Sequence, residues 1–159
     1  MKRKLQPGDP APDFRALAVG GKYGEGTGVG LRDFTGQKLV LYFYPKDDTP
    51  GCTAQACGIR DAWAELACGQ AAIFGVSPDG AASHLKFIAK HALPFALLSD
   101  PEHRMAEAYG VWVEKSMYGK KYMGVERSTF VIGPDRRIEV ILRKVSPSEH
   151  VGLLLPSLQ

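Results

Sequence analysis

The sequence predicts an α/β fold, a central mixed β-sheet with helices packed on both faces. Three observations carry this. Short, unbroken apolar runs at Leu39–Tyr44 and Ala71–Val76 read as strands buried on both sides, as strands between layers of helices are. Stretches with apolar residues at helical spacing alternate with them, among them Ile59, Trp63 and Leu66. Late in the chain, Ser128–Ile132 and Ile138–Leu142 flank Gly133-Pro134-Asp135, the pattern of an antiparallel hairpin. Short connections and right-handed crossovers leave few ways to arrange such elements.

Taken in order, Pro7 to Pro12 holds three prolines and an aspartate and predicts an extended arm or turn. Phe14–Val19 is a short strand. Gly20 to Gly30 has six glycines in eleven residues, but no G-x-G-x-x-G and no helix pattern after it. A dinucleotide loop is therefore unsupported, and a flexible hairpin tip is predicted. Leu31–Phe34 leads back to the buried run at Leu39. Thr49-Pro50 starts a helix, with threonine as N-cap and proline at the first helical position. That helix runs to Ala67, and Cys68-Gly69 marks its C-terminus. After the strand Ala71–Val76, Ser77 to Gly80 form a turn and cap. Ala81–His91 is an amphipathic helix with Leu85 and Ile88 inward. Phe95–Leu98 is a further strand, and Ser99 to Glu102 starts a helix carrying Met105, Ala106 and Tyr109. The segment rich in lysine, glycine and tyrosine that follows reads as a loop. Pro147–Leu155 is a closing helix. No repeat, linker or second domain is visible, so residues 1–159 are expected to form one domain.

Composition narrows the function classes. With 159 residues, 45% apolar and 23% charged, the chain has ordinary globular composition. A net charge of +3 with scattered lysines and arginines gives no case for nucleic acid. No apolar run approaches the roughly 20 residues of a membrane helix. Met1-Lys2-Arg3-Lys4 resembles the basic start of a signal peptide, but Leu5 to Asp9 supplies no apolar core behind it. Three cysteines, an odd number, argue against a secreted disulfide framework and fit a reducing compartment, the cytoplasm by default.

One of those cysteines stands out. From Thr49 as N-cap, Cys52 is the third helical residue, in the first turn of a helix that follows a buried strand. Backbone N–H groups there lack intrahelical partners and the helix dipole is positive, so a thiolate is favoured over a thiol. A free cysteine is ordinarily a small buried hydrophobe. The neighbours Asp47, Asp48, Thr49, Pro50 and Gly51 describe a polar turn instead of a core.

Pro45, Thr49 and Cys52 also reproduce the Pro-x-x-x-Thr-x-x-Cys motif of peroxiredoxins. The longer string YFYPKDDTPGCTAQACGIRD resembles their atypical two-cysteine branch, the bacterioferritin comigratory protein or PrxQ subfamily. LQPGDPAPDF resembles the start of that family and YGKKYMGVERSTFVIGPD its C-terminal half, so the likeness runs from Leu5 to Val145. The glycine-rich segment departs from it, being longer than the family's.

The resemblance implies a thioredoxin-like fold and a thiol-dependent peroxidase that reduces hydrogen peroxide and small organic hydroperoxides. By the same resemblance Cys52 is the nucleophile and becomes a sulfenic acid. Thr49 places its hydroxyl beside the peroxide, Arg127 stabilises thiolate and leaving oxygen, and Pro45 shields the sulfenate. Cys57 resolves the intermediate as a disulfide, which thioredoxin or a glutaredoxin-like dithiol reduces. No metal, flavin or haem is implied. A monomer, or at most a weak dimer, is expected.

Other constellations find less support in the residues themselves. Cys52 and Cys57 have four residues between them, within a loose range for zinc, but no H-x-x-x-H or C-x-x-H pair accompanies them. His84, His91, His103 and His150 fall on different elements and read as surface or capping residues. A histidine brought to Cys52 by the fold, as in a cysteine protease, stays open at this level. No C-x-x-C is present for a thioredoxin-type oxidoreductase. Cys68, at a helix C-terminus, reads as a buried, inert thiol, with a backup resolving role as the alternative. A thiol–disulfide oxidoreductase of the same fold and a zinc or structural domain remain the competing functions.

Overall fold

The computed structural model describes residues 4–68 and 70–158. The strands are β1 (Arg15–Val19), β2 (Thr27–Gly30), β3 (Leu39–Phe43), β4 (Ala72–Ser77), β5 (Ala96–Ser99), β6 (Trp112–Met117), β7 (Lys120–Val125), β8 (Ser128–Ile132) and β9 (Ile138–Leu142). The helices are α1 (Pro50–Asp61), α2 (Trp63–Ala67), α3 (Ala81–His91), α4 (Arg104–Ala108) and α5 (His150–Ser157). Seven strands form one sheet in the order β2-β1-β5-β4-β3-β8-β9, with β6 and β7 paired separately. Pairs β3–β4 and β4–β5 are parallel, and the outer pairs are antiparallel, which gives the mixed sheet that the sequence predicts.

Strand β3 shows why the sheet is sandwiched. Its side chains alternate with the period-2 pleat, and every one is buried. Leu39, Leu41 and Phe43 join Phe74, Tyr109 and Phe130 in one apolar layer, which α4 closes with Met105 and Ala106. Val40, Tyr42 and Tyr44 join Cys52, Ala56, Ile59, Phe87 and Leu154 in the opposite layer, under α1, α3 and α5. The apolar run at 39–44 is thus unbroken because both faces need it.

Several elements differ from expectation. The long helix predicted from Pro50 to Ala67 is two helices, broken at Ala62 (φ −99°, ψ 11°). No glycine or proline marks the break; packing on the sheet sets it, burying Ile59 and Leu66 and laying Trp63 on Phe95 with ring centroids 5.6 Å apart. Within the glycine-rich segment, residues 27–30 are strand β2, paired with β1 from Arg15↔Gly30 to Ala18↔Thr27. Gly30 is needed there, since a Cβ would lie 2.8 Å from the Phe14 carbonyl oxygen. The predicted loop after α4 is the β6–β7 hairpin, turning at Tyr118-Gly119, both with positive φ. Most of its side chains are half-buried or exposed, so it lacks the alternation by which strands are read.

The histidines and Cys68 need correction too. His84 and His150 are fully buried, not surface residues, and each has hydrogen-bonding partners inside. The inward face of α3 is His84 and Phe87; Leu85 and Ile88 are only half-buried at its edges. Cys68 is exposed, because Leu66 is the residue of α2 that turns to the core. Gly69, read as part of that helix end, and the basic start at 1–3 lie outside the described residues. Among the described residues no helix is long and apolar enough to cross a membrane.

Candidate active site

The chain leaves β3 at the centre of the sheet and reaches α1 through a loop of residues 44–49. The loop is pinned from below. Asp47 is buried, and Tyr44 Oη donates to its Oδ1 at 2.6 Å while Ser83 Oγ donates to its Oδ2 at 2.8 Å. His84 Nδ1 lies 2.7 Å from the same Oδ2, and its Nε2 donates to the Leu98 carbonyl at 3.0 Å. The Asp47 backbone N–H donates to Asp79 Oδ2 (2.8 Å), which also accepts from Ser77 Oγ (2.7 Å). Asp48, with φ +59°, turns outward to Lys90 Nζ at 2.8 Å and His91 Nε2 at 3.2 Å. The hydrogen bond from Lys90 holds its carboxyl below the usual range. Both aspartates are therefore committed to α3 and the β4–α3 turn, and neither contends with Cys52 for the cation of the site.

Asp47, Asp79 and His84 are the group of metal-ligand types that comes together among the described residues. Their facing atoms already carry hydrogen bonds from Tyr44, Ser77, Ser83 and the backbone, so the cluster reads as a loop anchor. The cysteines that the zinc alternative relied on are not part of it.

Thr49 takes the N-cap position in extended conformation (φ −89°, ψ 156°), and its carbonyl accepts the Thr53 N–H at 2.8 Å. Its hydroxyl does not cap the helix; it donates back to the Lys46 carbonyl at 2.9 Å. The first turn of α1 consequently has no side-chain cap, and its positive end is unshared. Pro45 opens the loop, half-buried.

Cys52, only 2% exposed, is the third residue of α1. Arg127, from the two-residue link between β7 and β8, donates Nη2 to its Sγ at 3.4 Å and Nη1 to Gln55 Oε1 at 2.6 Å. Gln55 stands one turn beyond Cys52 on the same helix face, so helix and guanidinium are bolted together around the sulfur. Gly51 makes room for this: a Cβ there would lie 3.2 Å from Arg127 Nη2 and 3.4 Å from Pro147 Cγ. Lys115 on β6 is a further cation within electrostatic reach. Burial and Arg127 push its pKa down, and Cys52 pulls it back up. Cys57 is a half-buried free thiol on the same unbroken helix, and Cys68 is a free, exposed one.

Of the five site residues read from the sequence, Cys52 and Arg127 are in direct contact, Thr49 heads the same helix, Pro45 begins the loop before it, and Cys57 lies further along it. Gln55, Lys115 and the Asp47–His84 anchor are additions that the structure makes to these five. Gln55 had a signal in its spacing of three from Cys52; His84 and Lys115 are brought in by tertiary structure alone.

His150, at the start of α5, places Nε2 2.7 Å from Thr129 Oγ1. Burial, with the nearby Arg127 charge, lowers its pKa from 6.5 to about 4. The folded protein therefore keeps this histidine neutral where the unfolded chain binds a proton. Its contribution to stability is whole above pH 6.5 and is lost as pH falls from there toward about 4. Unfolding midpoints measured across that window should fall for the parent and change less for His150→Gln.

Comparison with known proteins agrees with this geometry. The pattern of the AhpC/TSA family matches residues 7–141. Peroxiredoxin Bcp of Bacillus subtilis (strain 168) is 48% identical over 155 residues, covering 98% of this chain and 96% of that protein. The structure of Xanthomonas campestris peroxiredoxin Q superposes with a TM-score of 0.83 at 38% identity, covering 91% of this chain and 89% of that one. A second Xanthomonas campestris structure, of the bacterioferritin comigratory protein in trapped intermediate and ligand complexes that address its alkyl peroxide reduction, gives the same TM-score at 37% identity and the same coverage. An uncapped helix start that carries a buried cysteine under an arginine, on a thioredoxin-like sheet with such relatives, places the chain in the AhpC/TSA family as a thiol-dependent peroxidase of the peroxiredoxin Bcp/PrxQ kind.

Proposed function

We propose that Cys52 is the peroxide-reacting residue and that Cys57 resolves it within the same chain. The single observation that carries the role of Cys52 is the Arg127 guanidinium donating to its Sγ at the start of α1. The thiolate attacks one oxygen of the hydroperoxide; an S–O bond forms, the O–O bond breaks, and water or an alcohol leaves after taking up a proton. Cationic donors at the sulfur also face the oxygen on which charge develops, which lowers the barrier. Thr49 orients the peroxide and Pro45 limits water at the sulfenate. The Cys57 thiolate then displaces hydroxide from the sulfenic acid, releasing water and leaving a disulfide. An external dithiol, thioredoxin or a glutaredoxin-like protein, returns both thiols. Hydrogen peroxide and small organic hydroperoxides are the substrate class, a monomer or weak dimer the working form, and the cytoplasm the compartment that suits three free thiols.

The resolving step needs α1 to open. Five residues along an intact α-helix separate two Cα atoms by about 8.7 Å and rotate them about 140° apart, whereas a disulfide needs them within about 7 Å. Cys52 and Cys57 both lie on α1, which is continuous from Pro50 to Asp61. Glycines at 51 and 58 weaken that stretch. Peroxide consumption with thioredoxin, thioredoxin reductase and NADPH as the recycling system tests the reading, because a small dithiol such as dithiothreitol would reduce the Cys52 sulfenic acid directly and bypass Cys57. The parent should turn over many times, and Cys57→Ser should react once, then stall as sulfenic acid or overoxidise. Sustained turnover by Cys57→Ser at the parent rate would remove Cys57 from the scheme.

A further inference from the structure

Three polar groups are sealed around α1 without a protein partner. Among the described residues, the buried side-chain atoms lacking a hydrogen bond include Tyr42 Oη, Gln55 Nε2 and His150 Nδ1. Tyr42 lies in the apolar layer that α1 closes through Cys52, Ala56 and Ile59. Its hydroxyl is wedged against Gly75, where an added Cβ would come within 2.7 Å of it and 2.8 Å of Leu97 Cδ2. The ring packs on Tyr44 and His150, each with centroids 5.5 Å away, and on Phe95 at 6.1 Å. The hydroxyl makes no hydrogen bond to the protein there. His150 spends Nε2 on Thr129 and keeps Nδ1 unpaired, and α5 leans on α1 where Val151 Cγ2 comes 3.6 Å from a Cβ at Gly58. Gln55 spends Oε1 on Arg127 and leaves its amide donors unpaired.

We propose that these unpaired groups, with Tyr42 as the main one, bias α1 toward opening, so that the resolving step is driven partly by their hydration. A buried donor without a partner is costly, whereas the same donor in water is satisfied. The closed helix therefore stores a penalty that unwinding between Cys52 and Cys57 releases. The reaction of Cys52 with peroxide takes place with α1 closed and gains nothing from that penalty. Condensation with Cys57 requires the open form and draws on it. This inference rests on the reading that these two cysteines join.

Tyr42→Phe tests it, because it removes the hydroxyl and keeps the ring. In reduced protein that has seen no peroxide, amide hydrogen exchange at Thr53 to Cys57 should slow on the order of tenfold, and the unfolding midpoint should rise. After one equivalent of hydrogen peroxide, sulfenic acid should form at the parental rate and the Cys52–Cys57 disulfide on the order of tenfold more slowly. Overoxidation at higher peroxide should increase accordingly. Faster or unchanged exchange in α1, or a lowered midpoint, as a satisfied hydroxyl would give, overturns the proposal. So does disulfide formation at the parental rate. The exchange arm involves no peroxide chemistry, so it tests the bias even if peptide mapping finds a different resolving residue.

Discussion

Cys52→Ser is expected to consume no peroxide catalytically while keeping the parental fold. Serine matches cysteine closely in size, so the apolar layer that holds residue 52 with Tyr44, Ala56 and Ile59 stays filled. What is lost is the chemistry: a hydroxyl at this site is neither ionised at neutral pH nor oxidisable to a sulfenic acid. Circular dichroism and the unfolding midpoint should stay near those of the parent, with turnover at the background of the dithiol alone. Cys68→Ser is the matched control. Cys68 is exposed at the end of α2, away from the Arg127 contact, and its loss should leave turnover at the parental level. A Cys52→Ser protein that still turned over peroxide would move the chemistry to another thiol.

The second large effect is expected from Arg127→Ala. The guanidinium contacts Cys52 Sγ and Gln55 Oε1 at once, so truncation removes the donor facing the sulfur and frees the glutamine that helps fix it. Loss of a preorganised donor at a site of developing oxygen charge typically slows the chemical step by about 10² to 10³. The sulfenic-acid-forming step should fall by that order, measured by stopped-flow with one equivalent of hydrogen peroxide. Arg127→Lys should recover only part of it, because a single ammonium does not reproduce the two-pronged contact. An Arg127→Ala rate within a few-fold of the parent would mean that the helix start alone activates the thiol. In that case Lys115, the other cation near Cys52, is the next residue to vary.

The sequence was readable where burial is two-sided or turn chemistry is local. β3, β4 and β5 follow from apolar runs, β8 and β9 from the Gly133-Pro134-Asp135 turn, and the start of α1 from Thr49-Pro50. The elements that escaped are those whose pattern is masked. Glycines at 28 and 30 hide β2, and the exposed faces of β6 and β7 erase their alternation. The break at Ala62 leaves no mark because packing makes it, not a breaker residue. In the site, Cys52 and its place on the helix were legible from spacing, and Arg127 from the family's motif. The roles of Asp47 and His84 were not. A carboxylate and an imidazole in a polar turn and on a helix look like surface groups until the fold encloses them with Tyr44, Ser83 and the Leu98 carbonyl. Thr49 was half legible, because its backbone caps α1 while its hydroxyl turns to Lys46.

The central claim is that one peroxide joins Cys52 to Cys57 inside one chain, and it is tested most directly by peptide mapping after one equivalent of hydrogen peroxide. Reduced protein is treated, free thiols are blocked in acid, and the non-reduced digest is read by mass spectrometry beside the intact mass. The account predicts that the intact chain loses the mass of two hydrogens. It predicts also that the crosslink lies between residues 52 and 57 and that Cys68 is recovered blocked as a free thiol. A crosslink from Cys52 to Cys68, or between two chains, would contradict it, as would an oxidised chain in which Cys57 is still free.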